Sequence, residues 1–310
     1  MIETNNLSEI LSIDKLVDVF NNFPIIYISP HFDDFALSNG GFAFTFQNKL
    51  AIRTITVFSQ SQYVSPEYEL QLKNQLSEQG NSDKFSEERI RHVSNILRIN
   101  EDNSCLESLD LEPSILLGKD EAPIRGYGLG DGKEGITFPT APQSWLENPK
   151  EIILVNSLKK EFKNYMSEKM NIFIPLGVQY HIDHVLVRKA AISAANELNT
   201  SGELNVNLFF YEDLPYAGLS TNKSSDWNDA KKIIANCTPE DIIIDLEKKL
   251  GLIDFFPSQR EDGYFRGIKN RAIEIGKMHM SEKNIQSMER IYKLNTNKIY
   301  ELTKLDDYLN

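Results

Sequence analysis

The chain has 310 residues, with 45 acidic against 33 basic side chains and a formal charge of −12. Hydrophobic residues make up 41% and aromatics 10%, enough to bury a sizeable core and too much for a disordered chain. The acidic balance excludes bulk nucleic-acid binding, and no run approaches the roughly 18 apolar residues that would span a bilayer. Met1 to Val19 interleaves Glu3, Asp14, Lys15 and Asp18 with its apolar positions, unlike a secretory leader. Cys105 and Cys237 lie far apart without CxxC spacing, which excludes a thiolate zinc cage and argues against a disulfide framework. These features point to the cytoplasm, with neither nucleic acid nor membrane as partner. Self-association into a homo-oligomer is left open.

In chain order, Pro24 to Pro30 is a short apolar run bounded by prolines and predicts a buried strand. Residues 38 to 49 predict a helix capped by Ser38, and Ala51 to Ser59 alternates like a second strand. From Gln60 to Lys84 the chain lacks apolar periodicity and reads as a long connection, followed by a helix at Ser86 to Arg98 and a short strand near Cys105 to Leu109. Residues 112 to 149 hold five of the twelve prolines and six of the sixteen glycines, the composition of a loop or lid. Its Gly126 to Gly132 run fails the GxGxxG spacing of a dinucleotide site because Asp131 stands where the last glycine belongs. A helix (Lys150 to Lys169), a strand (Asn171 to Leu176), a helix (Asp183 to Leu198) and a strand (Val206 to Tyr211) continue the alternation, so the sheet should be mostly parallel. Ile242 to Leu246 adds a strand-like run, and Asn284 to Leu309 predicts a charged, amphipathic helix pair. No internal repeat or composition break marks a second domain, so 1–310 reads as one domain.

Two clusters carry the chemistry, each where a strand hands over to a helix: Ser29-Pro-His31-Phe-Asp33-Asp34 and Gln179-Tyr-His181-Ile-Asp183-His184. Three of the five histidines of the chain fall in these two hexapeptides, and ligand crevices of open α/β sheets lie at the carboxyl ends of strands. One His and one carboxylate from the first cluster with one His from the second make a two-nitrogen, one-oxygen face. Such a set leaves positions open for water and substrate, which is the pattern of a catalytic metal. Of the adjacent Asp33 and Asp34, one can hold the metal while the other takes a proton. Of His181 and His184, one can ligate and the other face the substrate. His92 and His279 lack carboxylate neighbours at useful spacing and read as surface or core histidines.

At these residues the sequence resembles the PIG-L / LmbE-like family of zinc-dependent N-acetylglucosaminyl deacetylases. The first hallmark, of the form (A/S)HPDDxxLxxGG, is met by Ser29 to Gly41, and the later HPDHxxV by His181 to Val187. Two weaker echoes are Lys249 to Gln259, similar to a K…Y.SQ segment, and Met288-Glu289-Arg290-Ile291-Tyr292, similar to an AE.F ending. The likeness runs from about residue 24 to 292, with C-terminal helices expected over about 281 to 310. It implies a Rossmann-like, mostly parallel sheet flanked by helices, with long loops over the C-terminal edge of the strands. It also implies that His31, Asp34 and His184 bind zinc, with Fe2+ as the alternative ion, that Asp33 is the general base, and that a cationic His181 stabilises the oxyanion. The substrate implied is a small N-acetylated molecule. Asp183 could orient an imidazole or cap its helix.

The departures are specific. Phe32 and Ile182 replace the usual prolines, Leu97 is followed by Arg98 where the family has Gly, and Gln179 stands where several relatives carry Tyr. Tyr211 to Tyr216 (YEDLPY) resembles a family stretch that could contact sugar hydroxyls or cap a strand, and Arg53, Arg260 or Arg266 could meet an anionic group. The leading expectation is deacetylation of an N-acetylated amino sugar, free, nucleotide-linked or within a metabolite. A related amidohydrolase acting on another amide and a metal-free binding protein are the alternatives.

Overall fold

The computed structural model describes residues 17–77, 87–127, 148–167, 169–202, 206–220, 225–280, 285–295, 299 and 302. Seven strands form one sheet: β1 (Ile25–Ser29), β2 (Ile52–Thr56), β3 (Ile115–Leu116), β4 (Asn171–Pro175), β5 (Asn207–Tyr211), β6 (Cys237–Ile243) and β7 (Met288–Leu294), in the order β3-β2-β1-β4-β5-β7-β6. β1 to β5 pair in parallel, while β7 runs antiparallel to both β5 and β6. The helices are α1 (Asp34–Phe46), α2 (Pro66–Ser77), α3 (Glu87–His92), α4 (Ile99–Ser108), α5 (Pro149–Lys163), α6 (Ile182–Thr200), α7 (Tyr216–Leu219), α8 (Asn228–Ile234), α9 (Leu246–Ile253) and α10 (Asp262–His279). None is long and apolar enough to cross a membrane among the described residues.

The expected mostly parallel α/β sheet is the sheet found, and its strands are apolar on both faces because both are covered. Alternate residues sort into two layers of different texture. Ile26, Ile28, Ile172, Ile174, Leu208 and Phe210 join α5 and the alanine-rich α6 in an aliphatic layer. Ile25, Tyr27, Phe173, Phe209 and Tyr211 face the other way and meet Phe20, Phe42 and Phe46. In that aromatic layer Phe173 stacks on Phe209 at 5.0 Å and Tyr27 on Tyr211 at 4.5 Å, geometries that add to plain burial. α1 crosses this face closely. A Cβ on Gly41 would come within 2.8 Å of Glu289 Oε1 and Ile244, so only glycine lets the helix pass there.

Several local expectations are corrected. The first helix starts at Asp34, and Ser38 lies buried inside it, where its hydroxyl accepts from Leu214 N–H rather than capping. The connection after Gln60 contains α2, anchored by buried Leu72. The strand expected near Cys105 to Leu109 is the end of α4, since the helix beginning at Glu87 continues through a π-helical turn, Val93–Arg98. The expected C-terminal helix pair is contradicted at Met288–Leu294, which is β7. Its charges suggested an exposed helix face, but Glu289 is buried against Lys249 Nζ at 2.5 Å and the Gly41 and Phe42 amides, and Arg290 binds Asp241. Most of the remaining C-terminal segment, like residues 78–84 and 128–147 of the two expected loops, lies outside the described residues.

Candidate metal centre

β1 and β4 are parallel neighbours at the centre of the sheet, with the chain leaving them towards opposite flanks, so a crevice opens at their carboxyl ends. Both hexapeptides emerge there. Beyond β1, Pro30 carbonyl accepts from Phe58 N–H and Ser29 hydroxyl donates to His31 carbonyl. These bonds turn the chain so that Asp34 opens α1, a favourable place for an anion. Beyond β4, His181 is the N-cap of α6, its Nδ1 accepting from Asp183 N–H at 3.2 Å.

His31, Asp34 and His184 each offer one ligand atom, and these lie within 4.8 Å of one another. His31 Nδ1 is 3.2 Å and His184 Nε2 is 3.5 Å from Asp34 Oδ2. The far nitrogen of each imidazole is already held: His31 Nε2 lies 2.9 Å from Asp183 Oδ2, and His184 Nδ1 lies 2.6 Å from Asp213 Oδ1. A carboxylate behind each histidine fixes its ring and raises its basicity towards a cation. His184 Nε2 itself is buried without a hydrogen-bond partner. Such an orphan is costly, and together with a nearby imidazole nitrogen and a carboxylate oxygen it fits a divalent metal such as zinc.

A second group, His31, His181 and Asp183, is equally close, but Asp183 is engaged through both oxygens and His181 through Nδ1. Asp183 accepts from Ala122 N–H and Arg125 Nη1 as well as facing His31, and His181 Nδ1 is engaged by the α6 backbone. Asp183 is therefore an orienter of His31 and not the cap of its helix.

Electrostatics bind the centre together. Burial works against the charge on His31, yet Asp183 and Asp34 lift it to about 10. Burial pushes Asp34 up, but His184 and His31 outweigh that and hold it at about 2. His184 is raised against the pull of burial by Asp34 and Asp213. His181 is pushed well below its ordinary value by burial and by neighbouring His184. Its Nδ1 accepts the Asp183 N–H, which is at odds with the expected cationic ring and places the ring proton on Nε2.

Asp33 is buried beside the ligand group but belongs to neither set, and its Oδ1 accepts from Arg98 Nη2 at 2.7 Å. Of the YEDLPY stretch, Asp213 serves His184 and Val178 N–H, while Glu212 is buried against Arg271 and Tyr292. Both carboxylates are committed to partners within the fold. Tyr216 does face the centre, its ring 6.0 Å from that of His184. Arg53 lies near the start of β2, away from the crevice, and Arg260 pairs with Asp254. His279 binds Asp241 at 2.5 Å, a partner distant in sequence. Sequence reasoning met Arg98 only as a departure from the resembled motif, with no role attached, and missed Arg125. The signals for Asp213 were its place two residues beyond a strand end and the YEDLPY stretch, for which a different role was expected.

No protein-family model matches the chain, and no curated protein does. Among solved structures, the sheet order and flanking helices define an α/β fold shared with glycopeptide deacetylases. The A40926 pseudoaglycone deacetylase Dbv21 is similar at 20% identity over 89% of this chain and 98% of that chain, with TM-score 0.56. The zinc-inhibited form of teicoplanin deacetylase Orf2 is similar at 16% identity over 88% and 98%, with TM-score 0.60. The fold implied by the resemblance is thus the fold of this chain.

Proposed function

We propose that the chain is a metal-dependent N-deacetylase that hydrolyses the acetamide of an N-acetylated amino sugar, with zinc held by His31 Nδ1, Asp34 Oδ2 and His184 Nε2. Fe2+ is the alternative ion for the same donors. The observation that carries the reading is the orphaned His184 Nε2, converging with two further donors at the switch point of the sheet, beside an aspartate outside the donor set. Zinc bound there would supply a Lewis acid for water and for the amide carbonyl.

The roles of the side chains follow from their settings. Asp33, its Oδ1 pinned by Arg98, uses Oδ2 to take a proton from the attacking water. It returns the proton to the amine nitrogen as the C–N bond breaks, leaving acetate and a free amine. His181 donates its Nε2 proton in a hydrogen bond to the carbonyl oxygen as negative charge grows there, a preorganised contact worth roughly 3 to 4 kcal/mol. Asp183 and Asp213 keep the ligand imidazoles aimed. The sugar-bearing substrate class is supported by the fold shared with deacetylases of glycopeptide antibiotics. We place the activity in the cytoplasm, with residues 1–310 acting as one domain.

The test is metal analysis of protein purified without chelator, together with acetate release from a panel of N-acetyl amino sugars and their conjugates. About one zinc or iron per chain and acetate release abolished by chelation are expected. A chain that neither carries nor takes up such a metal would sink the proposal.

A further inference from the structure

Two departures from the resembled motif, Phe32 for Pro and Arg98 for Gly, stand 66 positions apart (98 − 32) and meet in space. The Arg98 guanidinium carbon lies 5.5 Å from the centroid of the Phe32 ring. The Arg98 side chain is 3% exposed; its Nη2 donates to Asp33 Oδ1 at 2.7 Å, and its Nε lies 3.9 Å from Glu101 Oε2 without a hydrogen bond of its own. Glu101 is fixed in turn by Ser258, whose N–H and hydroxyl donate to its two oxygens at 2.9 and 2.6 Å. The guanidinium is thus held by a ring, by an anchored carboxylate behind it and by Asp33 in front.

The π-helical turn Val93–Arg98 matters here, because π turns are rare and gather at functional sites. It ends on Arg98 while α3 and α4 continue on either side. A proline at 32 would lock φ near −65° and so stiffen the loop immediately before Asp33. Phe32 leaves that torsion free, and the Asp33 side chain makes no bond to the α1 backbone that would hold it instead.

We propose that Arg98, seated on Phe32, is a positioning residue for Asp33, doing in this chain what a proline does in the resembled motif. The inference rests on the deacetylase reading above. Arg98 touches neither water nor amide; it holds Oδ1 so that Oδ2 is presented to the proton.

The test is Arg98→Met in the zinc-loaded protein, read with Arg98→Lys and Phe32→Leu on an N-acetyl amino-sugar substrate that the native chain turns over. Arg98→Met should keep native zinc content and KM while kcat falls about 10²-fold, the cost of a group misplaced by about 1 Å. Arg98→Lys should recover part of that loss, since an ammonium can reach Asp33 without the planar fork. Phe32→Leu should lower kcat about 5-fold alone, the scale of a modest cation–π contact, and have no further effect beside Arg98→Met. A lower Tm with unchanged kcat per metal-loaded chain, or zinc lost in step with rate, would overturn the positioning role. Additive Phe32 and Arg98 effects would overturn the seat on Phe32. Should Arg98→Met not fold, Arg98→Lys carries the same readouts. If the native chain turns over no acetamide, the deacetylase reading fails on its own. A crystal structure of the Arg98 variant then decides: Asp33 in a changed rotamer supports the positioning role, and an unmoved Asp33 overturns it.

Discussion

Two regions of buried charge are built from the same residue types to different ends. On the antiparallel side of the sheet, Lys249 and Glu289 are 0% and 2% exposed and close on each other, Arg271 forks onto Glu212, and Asp241 takes both Arg290 and His279. Glu289 also accepts the Gly41 and Phe42 amides, so its charge is fully used within the fold. At the carboxyl ends of β1 and β4 the pairing is also dense, but it leaves His184 Nε2, which faces the other two donors of the group, without a hydrogen bond. Burial and pairing alone therefore do not mark a site. What marks it is a set of donors fully supported from behind and left unsatisfied in front.

The largest expected effect lies at that front. His184→Ala should leave the purified protein with little zinc while His279→Ala, in the paired region, leaves metal content untouched; equal zinc in both would erase the contrast. Next, Lys249→Met should cost about 3–5 kcal/mol in denaturant unfolding, because it strands the Glu289 carboxylate in the core, with no change in zinc per folded chain. Asp33→Asn should retain zinc and lower kcat by about 10²-fold or more; loss of metal instead would move Asp33 into the ligand set. Asp213→Asn should weaken zinc binding by about 10- to 100-fold by removing the support behind His184, readable by competition with a chelator.

The last effect, confined to the pH dependence of stability, concerns Asp102 in α4. Burial raises its carboxyl to about 7 despite nearby Ser114 and Arg98, and its Oδ2 has no hydrogen-bond partner. The folded chain therefore holds a proton that the unfolded chain releases near pH 4, and this stabilisation is lost as pH rises from about 4 to about 7. Asp102→Asn should match the native Tm near pH 4 and exceed it progressively up to pH 8. A constant offset across that range would assign the shift elsewhere.

The parallel strands β1, β2, β4 and β5 were legible because they are short apolar runs punctuated by proline, polar turns and helical patterns, whereas the two-residue β3 falls in the stretch read as a loop. The antiparallel strand β7 was not, since Glu289, Arg290 and Lys293 look solvated until the partners Lys249 and Asp241 are known. The candidate site was legible as a pair of hexapeptides, and the structure gathers His31, Asp34 and His184 as one group. Its support was not legible: Arg98, Arg125 and Asp213 act across separations of 65, 58 and 29 residues, which no local pattern records. The tautomer of His181 depended on a single backbone contact, Asp183 N–H to Nδ1, again invisible in composition.

The distance along the chain between the two clusters has a kinetic meaning. His31 and His184 are 153 positions apart (184 − 31), and they meet only once β4 has paired with β1. Contacts of such long range form late and slowly, because loop closure must precede their reward. A metal that needs both histidines cannot template the early chain; it captures the sheet after its centre has closed, and then stabilises the finished state by mass action. The onset of zinc affinity during refolding should accordingly coincide with protection of the β1 and β4 amides from hydrogen exchange, making the ion a reporter of when the middle of the sheet is complete.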